Sequence, residues 1–188
     1  MEIKEYIQNS IDIKNKILNN SDFISEIEKI SNVIIKAFQN NKKVLIMGNG
    51  GSASDSNHIA AEFVSRFMFN RPALKAVSLS SNQSIITAIG NDYSYEDVFS
   101  RQIEALGEEN DILIGISTSG KSNNILKGFN EAKTKKLITV FLTSENADYK
   151  TDYSLKVPSN KTPVIQEIHV MLYHIICAKV EEALFKKV

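Results

Sequence analysis

Apolar residues recur at helical spacing through the first forty positions of the chain. In residues 2–18, Ile3, Tyr6, Ile7, Ile11, Ile13 and Ile17 form an imperfect stripe, which predicts a helix. Residues 22–39 predict a second, with Phe23, Ile24, Ile27, Ile30, Val33, Ile34 and Phe38 on a broad apolar face. Ser21 or Asp22 is the expected cap, and Asn40-Asn41 ends the segment. The pattern then changes. KVLIM (43–47), DILIGI (111–116) and KLITVFL (136–142) are short, nearly continuous apolar runs, the mark of strands buried on both faces. Residues 75–79 and 153–157 are weaker strands of the same kind. Helical segments are expected at 53–67, 84–89, 96–106 and 122–134, with a long closing helix at 163–185.

Strands alternating with helices predict an α/β fold: a parallel, flavodoxin-like sheet of about five strands flanked by helices. The expected organisation is one domain over residues 1–188. It has N-terminal helices in 1–41, an α/β core in 42–160 and a C-terminal helix in 163–188. The first two helices and the last exceed what the sheet needs for cover, so they are candidates to pack against other subunits. In such sheets ligands sit beyond the carboxyl ends of the strands, at the switch in strand order. Two of those ends carry small-residue loops, Gly48-Asn49-Gly50-Gly51-Ser52 and Ser117-Thr118-Ser119-Gly120.

Each loop opens a helix, whose free amides attract anions. The first reads equally as a tight turn with a serine cap. The second adds the hydroxyls of Ser117, Thr118, Ser119 and Ser122, each able to donate to a phosphate oxygen. Caps account for one or two hydroxyls, and this loop has four. Residues 115–122, GISTSGKS, formally match the nucleotide-binding G-x-x-x-x-G-K-S pattern. Two features argue against that match. Gly115 falls inside the apolar run, and no strand ends in the Asp that holds magnesium in such sites.

Composition narrows the classes. Lys+Arg and Asp+Glu are 22 each, which leaves no basic footprint for nucleic acid. The N-terminal stretch is polar and no apolar run spans a bilayer. The single cysteine, Cys177, lies in an apolar helical run and reads as a small buried hydrophobe. These features predict a cytoplasmic protein without disulfides.

His58 and Glu62 are four residues apart on the helix after the first loop, on one face. Alone they also fit a surface ion pair. The last helix carries Gln166, Glu167, His169 and His174. Gln166 and His174 are eight residues apart, about 12 Å along a straight helix. One ion reaches both only if Gln166 sits at a frayed start or the two belong to different subunits.

Taken in order, GNGGS (48–52), His58, Ala61-Glu62, AIGND (88–92), FSRQ (99–102), GISTSG (115–120) and IQEIH (165–169) closely resemble the phosphoheptose isomerases of the sugar isomerase (SIS) fold superfamily. The likeness covers nearly the whole chain. It implies interconversion of sedoheptulose 7-phosphate and D-glycero-D-manno-heptose 7-phosphate, feeding nucleotide-heptose synthesis for lipopolysaccharide or capsule. It implies a homotetramer with sites between subunits, and one zinc ion per subunit held by His58, Glu62, Gln166 and His174. Implied substrate contacts are Asn49, Gly50, Gly51, Ser52, Glu62, Asn91, Asp92, Ser117, Thr118, Ser119, Ser122 and Gln166. Moving a proton between adjacent carbons needs a base, an acid and stabilisation of the developing oxyanion. Glu62 and His174 are the candidates for proton transfer. The chain departs from the family pattern at Pro163 and Val164, where many members carry a charged pair, and at Lys121, often Asn; the first bears on the exact sugar. Two other readings share the fold: a non-catalytic adaptor that binds a replication initiator protein, and an isomerase of another phosphosugar.

Overall fold

A computed structural model describes residues 2–186. Helices α1 (Ile3–Leu18) and α2 (Ser21–Gln39) lead into strand β1 (Val44–Gly48) and helix α3 (Gly51–Val64). Then come β2 (Ala76–Ser78), α4 (Gln83–Asp92), a 3₁₀ turn (Tyr95–Asp97) and α5 (Ser100–Leu106). The chain continues through β3 (Ile112–Ile116), α6 (Asn123–Thr134), β4 (Ile138–Ser144) and β5 (Tyr153–Val157) to the long α7 (Thr162–Phe185).

All five strands are parallel, in the order β2-β1-β3-β4-β5. Alternate residues face opposite sides of the sheet, so each strand feeds two cores. Val44, Ile46, Ile114, Val140 and Leu155 face α1, α2, α3 and α7. Leu45, Met47, Leu113 and Phe141 face the layer with Ile103 of α5 and Ile125 and Phe129 of α6. Both faces are covered, which is why the three central strands read as unbroken apolar runs.

The order reverses between β1 and β3, the switch point of this topology. Gly48 is level with Ile116 across that pair, so the loops after the two strands open side by side. Gly115 lies inside β3 and β4 ends at Ser144, as the argument against a nucleotide-binding loop requires.

Three local expectations change. The cap of α2 is Asn20, whose Oδ1 accepts from Phe23 N at 3.0 Å, rather than Ser21 or Asp22. The helix expected at 96–106 is split. Ser94 Oγ accepts from Glu96 N at 3.1 Å and nucleates the 3₁₀ turn, and the chain re-sets before α5 so that Val98 and Phe99 are both buried. The helix expected to reach residue 67 stops at Val64. There Arg71 donates to the carbonyls of Glu62 (2.7 Å) and Phe63 (2.6 Å), while Glu181 accepts from the amides of Phe67 (2.9 Å) and Met68 (2.6 Å). Side chains take over the backbone bonds that a further helical turn would have made.

Among the described residues no helix is long and apolar enough to cross a membrane. Cys177 is buried, with its thiol pushed up by burial.

Candidate active site

The first loop turns through Gly50, whose φ of 54° lies in the left-handed region that glycine enters without steric cost. Gly51 opens α3 beneath α7. A Cβ there would sit 2.5 Å from Gln166 Nε2, so glycine allows the last helix to close over the loop. Asn49 is held in place from two sides. It exchanges amide hydrogen bonds with Asn124 of α6 (2.8 and 2.9 Å), and its Oδ1 accepts from Tyr95 Oη at 3.0 Å. Ser52 is buried on α3.

The second loop gathers hydroxyls. Ser117 Oγ lies 3.4 Å from Ser119 Oγ and 3.3 Å from Ser122 Oγ. Ser117 Oγ also accepts from Gly120 N, and Ser119 Oγ from Lys121 N, each at 3.2 Å. An anion accepting from these hydroxyls would take over the hydrogens they now share with one another. Ser122 is the residue that precedes α6, yet its side chain makes no cap bond. Thr118 stands half-buried between them. A cleft of about 460 Å³ beside this loop is lined by Asn49, Tyr95, Lys121, Ser122 and Asn124, among others.

Along α3, Asp55, His58 and Glu62 share one face, and α7 runs beside it. Gln166 Nε2 donates to Asp55 Oδ2 at 3.0 Å. A little further on, Tyr173 Oη is 2.9 Å from His58 Nδ1, and the His58 and His174 rings meet edge to face at 5.1 Å. His58 Nε2 lies 2.8 Å from Glu62 Oε1. One ligand atom each from His58, Glu62 and His174 falls within 4.8 Å of the others. Two imidazoles and a carboxylate form a donor set that suits zinc, and three protein ligands leave a position open, as in catalytic sites.

Burial lowers the His174 imidazole from its ordinary value, and the neighbouring His58 lowers it further against the pull of Glu62. The neutral ring is the form that binds a metal or accepts a proton. Burial raises Asp55, partly opposed by the Gln166 hydrogen bond and by His58.

Not every expected site residue joins the cluster. Gln166 lies inside the regular helix α7, which begins at Thr162, so the frayed start is excluded. Its side chain is bound to Asp55, one turn before His58. Asn91 and Asp92 end α4, exposed, with Asn91 Nδ2 donating to Asp92 Oδ1 at 2.8 Å. No hydrogen bond among the described residues links that pair to either loop. Pro163 lies in the first turn of α7 and Val164 is buried in the core, so both departures from the family pattern have a structural use. Lys121 is exposed at the cleft. Three groups at the site escaped the sequence reading. Asp55 is three residues before His58, a visible helical spacing. Tyr173 and Asn124 depend on contacts between distant segments.

His169 of the same motif is fully buried, with Nε2 3.3 Å from the Thr143 carbonyl and no partner for Nδ1 among the described residues. Burial takes its pKa from 6.5 down to about 4, against a smaller opposing effect of the Thr143 carbonyl. Between those values the unfolded chain holds the proton and the folded chain does not. Stability is therefore present above pH 6.5 and is lost as pH falls towards 4, by about 3 kcal/mol. Denaturant titrations of wild type and His169→Gln across that window should show a shallower decline in the variant.

The sequence matches the family model described as SIS domain over residues 5–144. It is 51% identical over 187 residues to the phosphoheptose isomerase of Aneurinibacillus thermoaerophilus, covering 98% of this chain and 94% of that one. The chain belongs to the phosphoheptose isomerase family of SIS-domain proteins. The solved phosphoheptose isomerase of Francisella tularensis superposes with a TM-score of 0.90 at 33% identity, over 96% of both chains. That of Neisseria gonorrhoeae gives 0.88 at 34% identity, over 96% of this chain and 97% of that one.

Proposed function

We propose that the protein interconverts sedoheptulose 7-phosphate and D-glycero-D-manno-heptose 7-phosphate. The observation that carries this reading is the convergence of Glu62 and His174 from separate helices, one of which grows from a loop suited to a phosphate. Gly51 and His58 are seven residues apart on α3, a span of about 10 Å. That is the scale of an extended seven-carbon chain with a terminal phosphate. The intact proton-transfer pair and loops also favour an enzyme over an adaptor for a replication initiator protein.

The phosphate is held by the hydroxyls of Ser117, Thr118, Ser119 and Ser122 and by free amides at the start of α6. Asn49, Gly50, Gly51 and Ser52 bound the sugar from the β1 side. The Glu62 carboxylate takes the proton from C1 of the ketose and returns it to C2 of the enediol. The His174 imidazole donates its ring N–H proton to the C2 oxygen and takes one back from the C1 hydroxyl, using the nitrogen that is not turned to a metal, so that the C2 carbonyl becomes a hydroxyl as the C1 hydroxyl becomes the aldehyde. Zinc held by His58, Glu62 and His174 would polarise the carbonyl as a Lewis acid. Gln166 would join the ligand set through Oε1, its Nε2 being the atom that donates to Asp55.

A homotetramer with sites between subunits fits the surface. Helix α4 buries none of its residues, Asn91 and Asp92 are exposed, and the His58 side chain is 46% exposed. A neighbouring subunit would bring such groups into a closed site. Cytoplasmic location and supply of nucleotide-heptose synthesis for lipopolysaccharide or capsule follow from the same reading.

The test is sedoheptulose 7-phosphate with zinc-loaded protein in D₂O, followed by NMR. The aldose should appear carrying deuterium at C2, because the enediol proton exchanges with solvent. Failure of the folded, metal-loaded protein to convert the ketose overturns the proposal.

A further inference from the structure

The contact between Tyr173 and His58 plays no part in the proton transfers. Tyr173 is 2% exposed, its ring packed in the core between α3 and α7. Its hydroxyl reaches the edge of the cluster and meets His58 Nδ1 at 2.9 Å. The other ring nitrogen, Nε2, faces Glu62 Oε1 at 2.8 Å, so Nε2 is the nitrogen turned towards the shared ligand position.

A neutral imidazole carries one proton on one of its two nitrogens. For His58 Nε2 to offer its lone pair to a cation, that proton must sit on Nδ1. An N–H at Nδ1 then needs an acceptor, and the Tyr173 oxygen is the polar atom placed there. In the absence of a cation, Nε2 can keep the proton and donate to Glu62, and the Tyr173 hydroxyl donates to Nδ1 instead. A backbone carbonyl at this position only accepts and would hold His58 permanently in the metal-binding tautomer. A hydroxyl satisfies both tautomers. The bond survives loading and release of the ion, with its direction reversed.

We propose that Tyr173 is a positioning residue for the metal centre, which orients His58 and accepts its Nδ1 proton when Nε2 binds the ion. The inference rests on the reading of His58, Glu62 and His174 as a metal site. Groups that orient a ligating histidine in this way typically change metal affinity by about 10- to 100-fold when removed. Tyr173→Phe removes the hydroxyl and keeps the buried ring.

The experiment compares metal-stripped wild type with Tyr173→Phe by competition for Zn²⁺ against a chromophoric chelator. The expected result is a dissociation constant about 10- to 100-fold weaker in the variant. Equal affinity overturns the role of Tyr173 while leaving the metal site standing. Absence of zinc binding by wild type overturns both. A second measurement needs no variant: ¹⁵N NMR of histidine-labelled wild type with zinc should show His58 protonated at Nδ1 and bare at Nε2. The opposite tautomer overturns the proposal.

Discussion

Replacing Glu62 by Gln should lower kcat/KM for sedoheptulose 7-phosphate by about 10³-fold or more, within or beyond the range of a single general acid–base group. The amide keeps the size of the carboxylate but cannot take a proton from carbon. It also removes the negative charge that His58 and His174 share in the cluster, so zinc affinity should fall together with turnover. The two effects separate by titration. If activity were lost only through the metal, saturating zinc would restore it; with Glu62 as the base, kcat stays low at every zinc concentration. Near-normal turnover in the variant would remove Glu62 from the proton-transfer role. Stability should change little, because the side-chain partner of Glu62 is the half-exposed His58.

The parts of this site that the sequence revealed are those made by neighbouring residues. GNGGS and STSG follow strands that could be recognised because they are buried on both faces, and a βα turn after such a strand has few possible placements. The His58–Glu62 pair was legible from helical spacing alone. Its meeting with His174 was not, because it depends on how α3 and α7 pack over the sheet. The same packing brings His174 into the cluster, while Gln166 lies two turns back, over Gly51 and against Asp55. Boundaries failed where tertiary bonds replaced local ones. Nothing near residue 65 in the sequence stops a helix. The stop comes from Arg71 and from Glu181 on another helix. Before α5 the cause is similar: Glu96 and Asp97 of the 3₁₀ turn accept from Asn123 and Lys127 of α6, contacts between distant segments.

Replacing Arg71 by Met or Glu181 by Gln should each lower the free energy of unfolding by about 3–5 kcal/mol, the usual result of breaking a buried ion pair. Arg71 Nε lies 3.0 Å from Glu181 Oε1, and both side chains are 1% exposed. Burial alone would push the Glu181 carboxyl up; the amides of Phe67 and Met68 and the Arg71 guanidinium outweigh it and hold the group below its usual value. Removing either partner strands the other without water. The exposed pair Lys136–Glu109, with side chains 71% and 59% exposed, provides the contrast: Lys136→Met should change stability by less than about 1 kcal/mol. Denaturant midpoints at constant m-value measure both. The double variant Arg71→Met/Glu181→Leu is the more informative case. Exchanging a simple buried ion pair for apolar residues is often neutral, but here three backbone groups also lose their partners: the carbonyl of Glu62 and the amides of Phe67 and Met68, while the Phe63 carbonyl keeps Leu74 N at 3.1 Å. Part-buried groups left unpaired in this way cost up to about 1–3 kcal/mol each, so the double variant should remain destabilised. A double variant as stable as wild type would mean that water reaches the turn after α3. In that case the backbone carrying Glu62 would be held by packing, rather than by Arg71 and Glu181.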